Sequence, residues 1–368
     1  MDELNKIYLE PTSRCNLTCV TCIRHSWDEP FGDMDWPVYR ALIDGLAEFP
    51  GSKTIAFAGM GEPLLHEKFP EMVRLAHDRG IRTEMTSNAM LLTPSLAAAL
   101  VDAGLDQFTV SIDGTSDESH GAIRPGASLK DLTTNVRLLH LLSEAATETP
   151  LRIGIEFVAM RRNIHALPKL REIANRIHAS FILVTNVLPY TADLKDEILY
   201  YMGPSTYESP GAPYDPLWIM PHLDWNRETQ VALADVMRQQ PKLSFLDIRL
   251  HQRNNHCPFV QVGSLAVAWH GGISPCPALL HSYNCYIRGR EKFFRRCEFG
   301  SLTERNLLAI WTNPEYRAFR ERVRKFDFSP CTDCGGCDLA ERNEEDCFGN
   351  PFPVCGDCLW ARGVLRCA

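Results

Sequence analysis

The chain has 368 residues, of which 45% are hydrophobic and 23% charged, and its formal net charge at pH 7 is −8. The acidic balance argues against a nucleic-acid binder, because contacts to phosphates need basic patches, and no apolar run has the length of a membrane span. The opening residues are acidic and carry no apolar run, so we expect no signal peptide and a cytoplasmic protein whose thiols stay reduced.

Short apolar runs alternate with segments of helical periodicity over the first half of the chain. The predicted strands are 6–12, 53–59, 81–88, 105–113, 151–159 and 180–189. The predicted helices between them are 36–49, 69–80, 93–104, 129–145 and 164–178. Strands that alternate with helices imply βαβ units and a parallel sheet. Six such units in about 190 residues favour an α/β fold with a partial (β/α)6 barrel over a closed barrel of eight units, which needs roughly 250 residues.

Active-site residues of parallel α/β barrels gather where the strands end. The first predicted strand is followed by Cys15, Cys19 and Cys22, in the spacing C-x3-C-x2-C. The second is followed by the turn GMGEP, residues 59–63. The third and fourth end at polar side chains, namely Ser87, Asn88, Ser111 and Asp113. Each turn alone is compatible with an ordinary βα connection, since Gly, Asn and Asp favour turns. Their joint placement predicts a binding site at one mouth.

The fourteen cysteines fall into two groups, three within 15–22 and eleven within 257–367. In a reducing compartment this distribution favours metal or iron–sulfur ligation over disulfides. Three thiolates are one short of the four ligands that a structural zinc or a [4Fe–4S] cluster normally takes. The residues alone leave the fourth ligand of the N-terminal site open.

The cysteine loop CNLTCVTC and the turn GMGEP together resemble the radical S-adenosylmethionine (SAM) enzymes, from the first predicted strand to the sixth. The resemblance implies that Cys15, Cys19 and Cys22 hold three irons of a [4Fe–4S] cluster whose fourth iron binds SAM. Cleavage of SAM would then yield a 5′-deoxyadenosyl radical that abstracts hydrogen from the substrate. The sequence departs from the family at Thr21, where an aromatic residue is frequent, and at Met60, which interrupts the Gly-Gly-Glu motif.

The same resemblance implies a set of SAM-binding residues. Backbone around Gly61 and Glu62 would meet the methionine amino group, since glycine permits close approach. Arg124 would pair with the methionine carboxylate, and a solvated loop arginine is the alternative. The complete set is Gly59, Gly61, Glu62, Pro63, Ser87, Asn88, Ser111, Asp113 and Arg124. The sequence names no substrate-side acid or base.

Residues 190–226 are rich in Pro, Tyr and Trp and show no sustained period. A segment this long without regular structure is usually functional or disordered, and its aromatic residues argue against disorder. We therefore expect a lid or a substrate wall there, followed by a helix over 226–240 and a strand over 243–250.

The C-terminal cysteines resemble the SPASM extension of radical SAM enzymes, which holds one or two auxiliary [4Fe–4S] clusters. Cys257 precedes a predicted hairpin, and Gly271 stands five residues before Cys276, as in that family. The later cysteines depart from the frequent spacing C-x2-C-x5-C-x3-C, and spacing does not reveal which thiolates share a cluster. The resemblance implies two auxiliary clusters, held by Cys257, Cys276, Cys331, Cys334, Cys337, Cys347, Cys355 and Cys358. Left out of this set are Cys285, Cys297 and Cys367. Two zinc sites are the rival interpretation, since C-x2-C pairs also bind zinc.

These motifs predict three domains: a radical SAM barrel over 1–190, a connecting or lid segment over 191–256, and a SPASM-like domain over 257–368. The stretches CIRHSWDEPFGDM and EEDCFGNPFPVCGDCLWARG resemble a subgroup associated with tungsten-containing aldehyde oxidoreductases. We therefore expect an enzyme that matures a protein or its metal cofactor. Expected partners are a protein, peptide or protein-bound cofactor as substrate and an electron donor such as ferredoxin or flavodoxin, with no nucleic acid and no membrane.

Two alternatives remain open. One is a peptide-modifying radical SAM enzyme that makes crosslinks or epimers. Such enzymes often carry an N-terminal winged-helix domain, for which the first predicted strand at residue 6 leaves no room. The other is a non-catalytic iron–sulfur or zinc scaffold, which has no need of the motifs at the barrel mouth. A radical SAM RNA methyltransferase shares GMGEP, but the acidic balance and the cysteine-rich tail disfavour it.

Overall fold

The structure, a computed structural model, describes residues 3–200, 217–221, 223–239, 242–245, 256–329, 331, 338–342 and 344–367. The chain divides into two compact units. Unit 1 comprises Met1–Asn16, Ile23–Glu84 and Asn255–Arg362, and unit 2 comprises Leu17–Cys22, Met85–Asn254 and Gly363–Ala368. Each unit combines segments that are distant in the sequence. The three domains expected from the sequence stay a prediction.

Strands and helices alternate along the described residues of the first half. The strands are β1 Lys6–Leu9, β2 Thr54–Phe57, β3 Arg82–Ser87, β4 Gln107–Ser111, β5 Arg152–Ala159, β6 Phe181–Asn186, β7 Leu217–Met220, β8 Lys242–Phe245, β9 Ser264–Val267, β10 Ile273–Ser274, β11 Tyr283–Ile287 and β12 Arg290–Phe294. The helices are α1 Trp36–Leu46, α2 Phe69–Asp78, α3 Pro94–Asp102, α4 Asp117–Gly121, α5 Leu129–Ala146, α6 Leu170–Arg176, α7 Gln230–Arg238, α8 Pro258–Gln261, α9 Leu307–Trp311, α10 Pro314–Lys325 and α11 Asp338–Arg342. Short 3-10 helices cover Ile23–His25, Pro63–Leu65, Ile164–Lys169, Ala192–Glu197, Pro277–Leu279 and Cys355–Asp357.

In unit 1, β1 is flanked by parallel neighbours, β2 on one side and β9 on the other, and β9 pairs with β10 in the antiparallel direction. Leu9, the last residue of β1, is in register with Phe57 and Val267, and all three side chains are fully buried. Residues that follow β1 and β2 therefore emerge side by side at the carboxyl ends of these strands, where βα loops build active sites.

In unit 2, strands β4 to β8 pair in parallel, each with the next along the chain. Every residue of β4 and β6 is buried, as expected for parallel strands covered on both faces. Gly154 of β5 lies against Phe181 of β6, and a Cβ at this glycine would come within 2.0 Å of the ring. This contact explains the glycine inside the apolar run of β5.

The α/β class and the predicted order of elements are confirmed. The six predicted strands correspond to β1 to β6, and the predicted hairpin after Cys257 corresponds to β9 and β10. The segment 190–226 was expected to lack regular structure. This expectation is wrong in part, because the segment contains a 3-10 helix and the strand β7. The strand β7 extends the sheet of unit 2. An apolar run as short as LWIM shows no period. Residues 201–216 and 222 of the segment lie outside the described residues.

Among the described residues, no helix has the length and apolar character that a membrane crossing requires. The longest, α5, has 18 residues and carries charged side chains at several positions.

Candidate functional site

The turn GMGEP packs against the backbone that follows β1, within unit 1. A Cβ at Gly61 would lie 2.1 Å from the carbonyl oxygen of Thr12, so only glycine fits there. The amide of Glu62 donates to the carbonyl of Arg14 at 2.7 Å. These contacts fix the turn against the backbone that immediately precedes Cys15. Cys15 is a predicted ligand of the cluster.

Two side chains shape the same turn. Gly59 has a φ of 117°, and a Cβ there would lie 2.8 Å from the side chain of Glu10. The carboxylate of Glu10 accepts a hydrogen bond from the amide of Met60 at 3.1 Å. The carboxylate of Glu62 accepts from the amide of Leu64 at 3.1 Å and caps the 3-10 helix that begins at Pro63. The turn is therefore held from both ends.

The boundary between the two units falls within the predicted cluster loop. Cys15 belongs to unit 1, and Cys19 and Cys22 belong to unit 2. In unit 2, the amide of Cys22 donates to the carbonyl of Cys19 at 3.1 Å. The amide of Val20 donates to the carbonyl of Ile123 at 2.9 Å. This half of the loop is thus fixed beside the turn GAIRPG.

Arg124 lies beside the loop and is not the solvated arginine of the alternative interpretation. Its side chain is 12% exposed, and its Nε donates to Asp113 Oδ2 at 2.7 Å. Its Nη1 lies 3.8 Å from Cys19 Sγ. Burial alone would lower the pKa of Arg124, but the charges of Asp113 and Cys19 raise it above its usual range. The guanidinium is therefore a fixed positive charge next to a predicted iron ligand.

Asp113 is fully buried and occupied by protein partners. While Oδ2 accepts from Arg124, Oδ1 accepts from the amide of Val158 at 2.8 Å. Its carbonyl accepts from Asn163 Nδ2 at 3.1 Å. In this structure Asp113 orients Arg124, and its expected contact with SAM stays a prediction.

The polar side chains after β3 stabilise a turn. Ser87 Oγ accepts from the amide of Ala89 at 2.9 Å, and Asn88 Oδ1 accepts from the amide of Met90 at 2.9 Å. Ala89 has a φ of 60°, a left-handed backbone that these bonds help to hold. Ser111 is buried at the end of β4. Contacts of these residues with SAM stay predictions.

Glu156 is a candidate site residue that the sequence interpretation missed. It stands on β5 in register with Ser111 of β4. Burial raises the pKa of its carboxyl to about 7, although the charge of Arg124 acts in the opposite direction. A group that changes protonation near neutral pH is a candidate for proton transfer. The available signal was a lone carboxylate inside the apolar run IGIEFVA.

Four C-terminal cysteines of unit 1 are close enough to perturb one another. Burial and the charge of Cys358 raise the pKa of Cys257 to about 12. Burial also raises the pKa of Cys276, together with the charges of Cys257, Cys358 and Cys355. Cys355 responds to burial and to Cys358 and Cys257 in the same way. A bound cation would stabilise the thiolate form of these four cysteines.

Cys331 is influenced by a different cysteine. Burial raises its pKa, and the charges of Asp357 and Cys347 act in the same direction. Its Sγ lies 2.8 Å from Ser329 Oγ. The predicted ligands Cys334 and Cys337 lie outside the described residues. Among the described cysteines of the predicted auxiliary set, the first four thus influence one another and Cys347 influences Cys331.

The three cysteines left out of the predicted set differ in their surroundings. Cys285 is fully buried on β11, and burial raises its pKa, with Lys292 and Asp357 as its charged neighbours. Burial raises the pKa of Cys297 to about 12, and the next influence is Glu315. Cys367 falls in unit 2. Within the described part of the chain, no three His, Cys, Asp or Glu side chains are grouped as ligands of a single metal ion.

Comparison with protein families gives two matches. The radical SAM superfamily matches residues 9–149, and the SPASM iron-sulfur cluster-binding domain matches residues 257–338. Together they include the cysteine loop, the turn GMGEP, Arg124 and the first part of the C-terminal cysteine region. The expected radical SAM fold with a cysteine-rich C-terminal region is confirmed by these matches.

Comparison with individual proteins gives one relative that matches over nearly its whole length and two solved structures of similar fold. The tungsten-containing aldehyde ferredoxin oxidoreductase cofactor-modifying protein of Pyrococcus furiosus is 31% identical, over 98% of this chain and 96% of the relative. The structure of anSMEcpe with bound AdoMet has a TM-score of 0.60 at 17% identity, covering 91% of this chain and 88% of that one. The structure of Streptococcus suis SuiB bound to its precursor peptide SuiA has a TM-score of 0.59 at 13% identity, covering 87% and 67%. Because the sequence identities to these two structures are low, the structures establish the fold alone.

Proposed function

Because the chain belongs to the radical SAM superfamily and carries a SPASM iron–sulfur domain, we propose that it is the enzyme that modifies the metal cofactor of a tungsten-containing oxidoreductase. The observation that carries this proposal is the likeness to the Pyrococcus furiosus cofactor-modifying protein, which spans nearly both chains. The family match and the curated enzyme relative argue against the non-catalytic scaffold.

The residues at the site fit the cofactors that the family uses. Cys15, Cys19 and Cys22 would hold the cluster, and the backbone of 59–63 would receive the methionine end of SAM. When bound, the cluster and SAM supply a 5′-deoxyadenosyl radical for hydrogen abstraction. The chain itself contributes position and charge, because Arg124 is held by Asp113 beside Cys19. An arginine there would favour both a thiolate ligand and the SAM carboxylate.

We propose two auxiliary clusters in the C-terminal region and assign four cysteine ligands to each. Cys257, Cys276, Cys355 and Cys358 would hold one cluster, because their thiols perturb one another's pKa. Cys331 and Cys347, together with Cys334 and Cys337, would hold the other. An ion pair between Lys292 and Asp357, 2.6 Å long and buried, fixes the turn that carries Cys355 and Cys358.

The substrate is proposed to be macromolecular or bound to a macromolecule. Auxiliary clusters offer a route for electrons away from a substrate radical. The electron for SAM cleavage would come from a ferredoxin or flavodoxin in the cytoplasm, where cysteine-rich sites are kept reduced. A second candidate function is the modification of a peptide, which is favoured by the structural likeness to SuiB bound to SuiA.

A reconstitution experiment distinguishes the two substrate classes. Anaerobic enzyme with SAM and reductant is incubated with a tungsten oxidoreductase isolated without the modification, or with short peptides. We expect the oxidoreductase to accelerate the release of 5′-deoxyadenosine and to show a changed cofactor mass. Acceleration by peptides alone would favour the second candidate, and turnover of a free small metabolite would contradict both.

A further inference from the structure

We propose that His281 is a positioning residue for the turn 59–63, acting through the carboxylate of Glu10. His281 lies in the SPASM region, between Cys276 and Cys285, and all groups in this network belong to unit 1. The role in SAM binding rests on the proposed function, because it requires that the turn 59–63 receives SAM. The contact itself is independent of that function.

The geometry joins the imidazole to two carboxylates. His281 Nε2 lies 3.0 Å from Glu10 Oε2, and Nδ1 lies 2.8 Å from Glu29 Oε2. Glu10 and His281 are 0% and 1% exposed, so water does not replace either partner. The opposite oxygen of Glu10 accepts the amide of Met60 at 3.1 Å. The chain of contacts therefore runs from His281 through Glu10 to the backbone of the turn.

Charge explains why the histidine is needed. A buried carboxylate without a partner is strongly disfavoured in an apolar interior, so Glu10 requires a neighbouring cation. Burial opposes protonation of His281, yet the hydrogen bonds that His281 donates to Glu10 and Glu29 raise its pKa to about 9. The pKa of Glu29 is lowered to about 2, because its hydrogen bonds with His281 and the amide of Ser282 outweigh burial. The histidine is therefore cationic at neutral pH.

Further charged groups lie around the network of His281, Glu10 and Glu29. Arg296 Nη1 lies 3.6 Å from Glu29 Oε2, and Arg296 Nε lies 3.4 Å from Glu298 Oε1. Glu298 in turn lies 3.4 Å from His270 Nε2. The indole of Trp27 covers the imidazole, with ring centroids 4.1 Å apart. Glu10 leads from this group to the turn, through its bond to the amide of Met60.

Hydrogen exchange in the absence of SAM tests the contact directly. The holoenzyme and its His281→Gln variant, both loaded with iron and sulfide, are compared for exchange of the peptide that covers 58–65. We expect exchange of this peptide to be at least about tenfold faster in the variant, because Glu10 loses the cation that holds it. The matched control is His77→Gln, which removes an exposed imidazole from α2 of the same unit and should change nothing.

Binding of SAM gives the second readout. We expect the Kd for SAM to rise about tenfold or more in His281→Gln while the iron content stays close to that of the wild type. Glu29→Gln keeps the imidazole and its bond to Glu10, so it should show a smaller effect in both assays. This variant keeps the test informative if His281→Gln fails to fold.

Each outcome has a defined meaning. Unchanged exchange of 58–65 in a folded His281→Gln or Glu29→Gln protein overturns the positioning role. Faster exchange confined to this peptide supports it. If the wild-type holoenzyme binds no SAM, the proposed function fails, whereas the exchange result still decides whether His281 positions the turn.

Discussion

Arg124 and Asp113 form an ion pair of 2.7 Å that points the guanidinium at Cys19, an iron ligand of the proposed radical SAM cluster. The pair is buried, and Asp113 is itself anchored by the amide of Val158. A charge fixed in this way needs no reorganisation when a carboxylate or a thiolate is presented to it. We therefore propose that the pair contributes to the binding of SAM.

Replacement of Arg124 should weaken SAM binding. Because a charged hydrogen bond contributes about 1.5–3 kcal/mol, Arg124→Ala should raise the Kd for SAM by about ten- to hundredfold. Arg124→Lys should recover only part of this, since lysine lacks the planar fork. Titration of SAM into the anaerobic holoenzyme measures the change.

The chain offers a matched control for this substitution. Arg162 makes an ion pair of the same 2.7 Å length with Glu197 in unit 2, but its side chain is 40% exposed. Exposed pairs contribute little, so Arg162→Ala should leave SAM binding unchanged. Equal losses for Arg124→Ala and Arg162→Ala would refute a specific role of Arg124.

Iron content should follow the proposed division of the C-terminal cysteines. The intact chain should hold about twelve irons, four for each of three clusters. Replacing Cys257 and Cys358 together should remove about four irons, because both serve one cluster. Replacing Cys257 and Cys331 together should remove about eight. Iron and sulfide analysis of folded variants, with Cys285→Ser as the control, provides the measurement, and similar losses from both double variants would contradict the division.

Glu156 should make stability depend on pH near neutrality. Its pKa is about 7 in the folded protein against 4.5 for the ordinary carboxyl, so the folded state binds more protons between these values. Stability should then fall as pH rises from about 5 to 7, by roughly 1–3 kcal/mol. Glu156→Gln should remove this fall. Melting curves across this range test it, with the exposed Glu118→Gln as control, and parallel pH profiles for wild type and Glu156→Gln would disprove it.

The affinity for SAM should also decline in alkaline solution. The folded pKa of His281 is about 9, above its ordinary value of 6.5. A raised pKa means that the stabilising cation is fully present below about 6.5 and is lost as pH rises through about 9. SAM titrations between these values should show weaker binding in the wild type and a flatter profile in His281→Gln. A wild-type profile without this decline would argue against the imidazolium.

Local patterns in the sequence predict most of the fold. Strands β1 to β6 and the helices between them show clear periodicity, and the predicted hairpin is confirmed as β9 and β10. The strand β7 was missed because four apolar residues show no period. What fails is therefore the prediction of elements too short to carry a pattern.

The site was less accessible because its contacts join residues far apart in the sequence. Glu10 and His281 are separated by 271 positions, and Arg124 and Cys19 by 105. No spacing rule links Cys257 with Cys358, so the proposed division of the auxiliary ligands depends on the folded chain. The motif GMGEP could be located from the sequence because its residues are adjacent in the chain.

The most direct test of the account is the release of 5′-deoxyadenosine from SAM under anaerobic reducing conditions. We expect release by the reconstituted wild-type enzyme. We expect none by a variant in which Cys15, Cys19 and Cys22 are all replaced by alanine, although that variant should retain about eight irons in its C-terminal region. Equal release by the wild type and the triple variant would contradict the assignment of radical chemistry to these three cysteines.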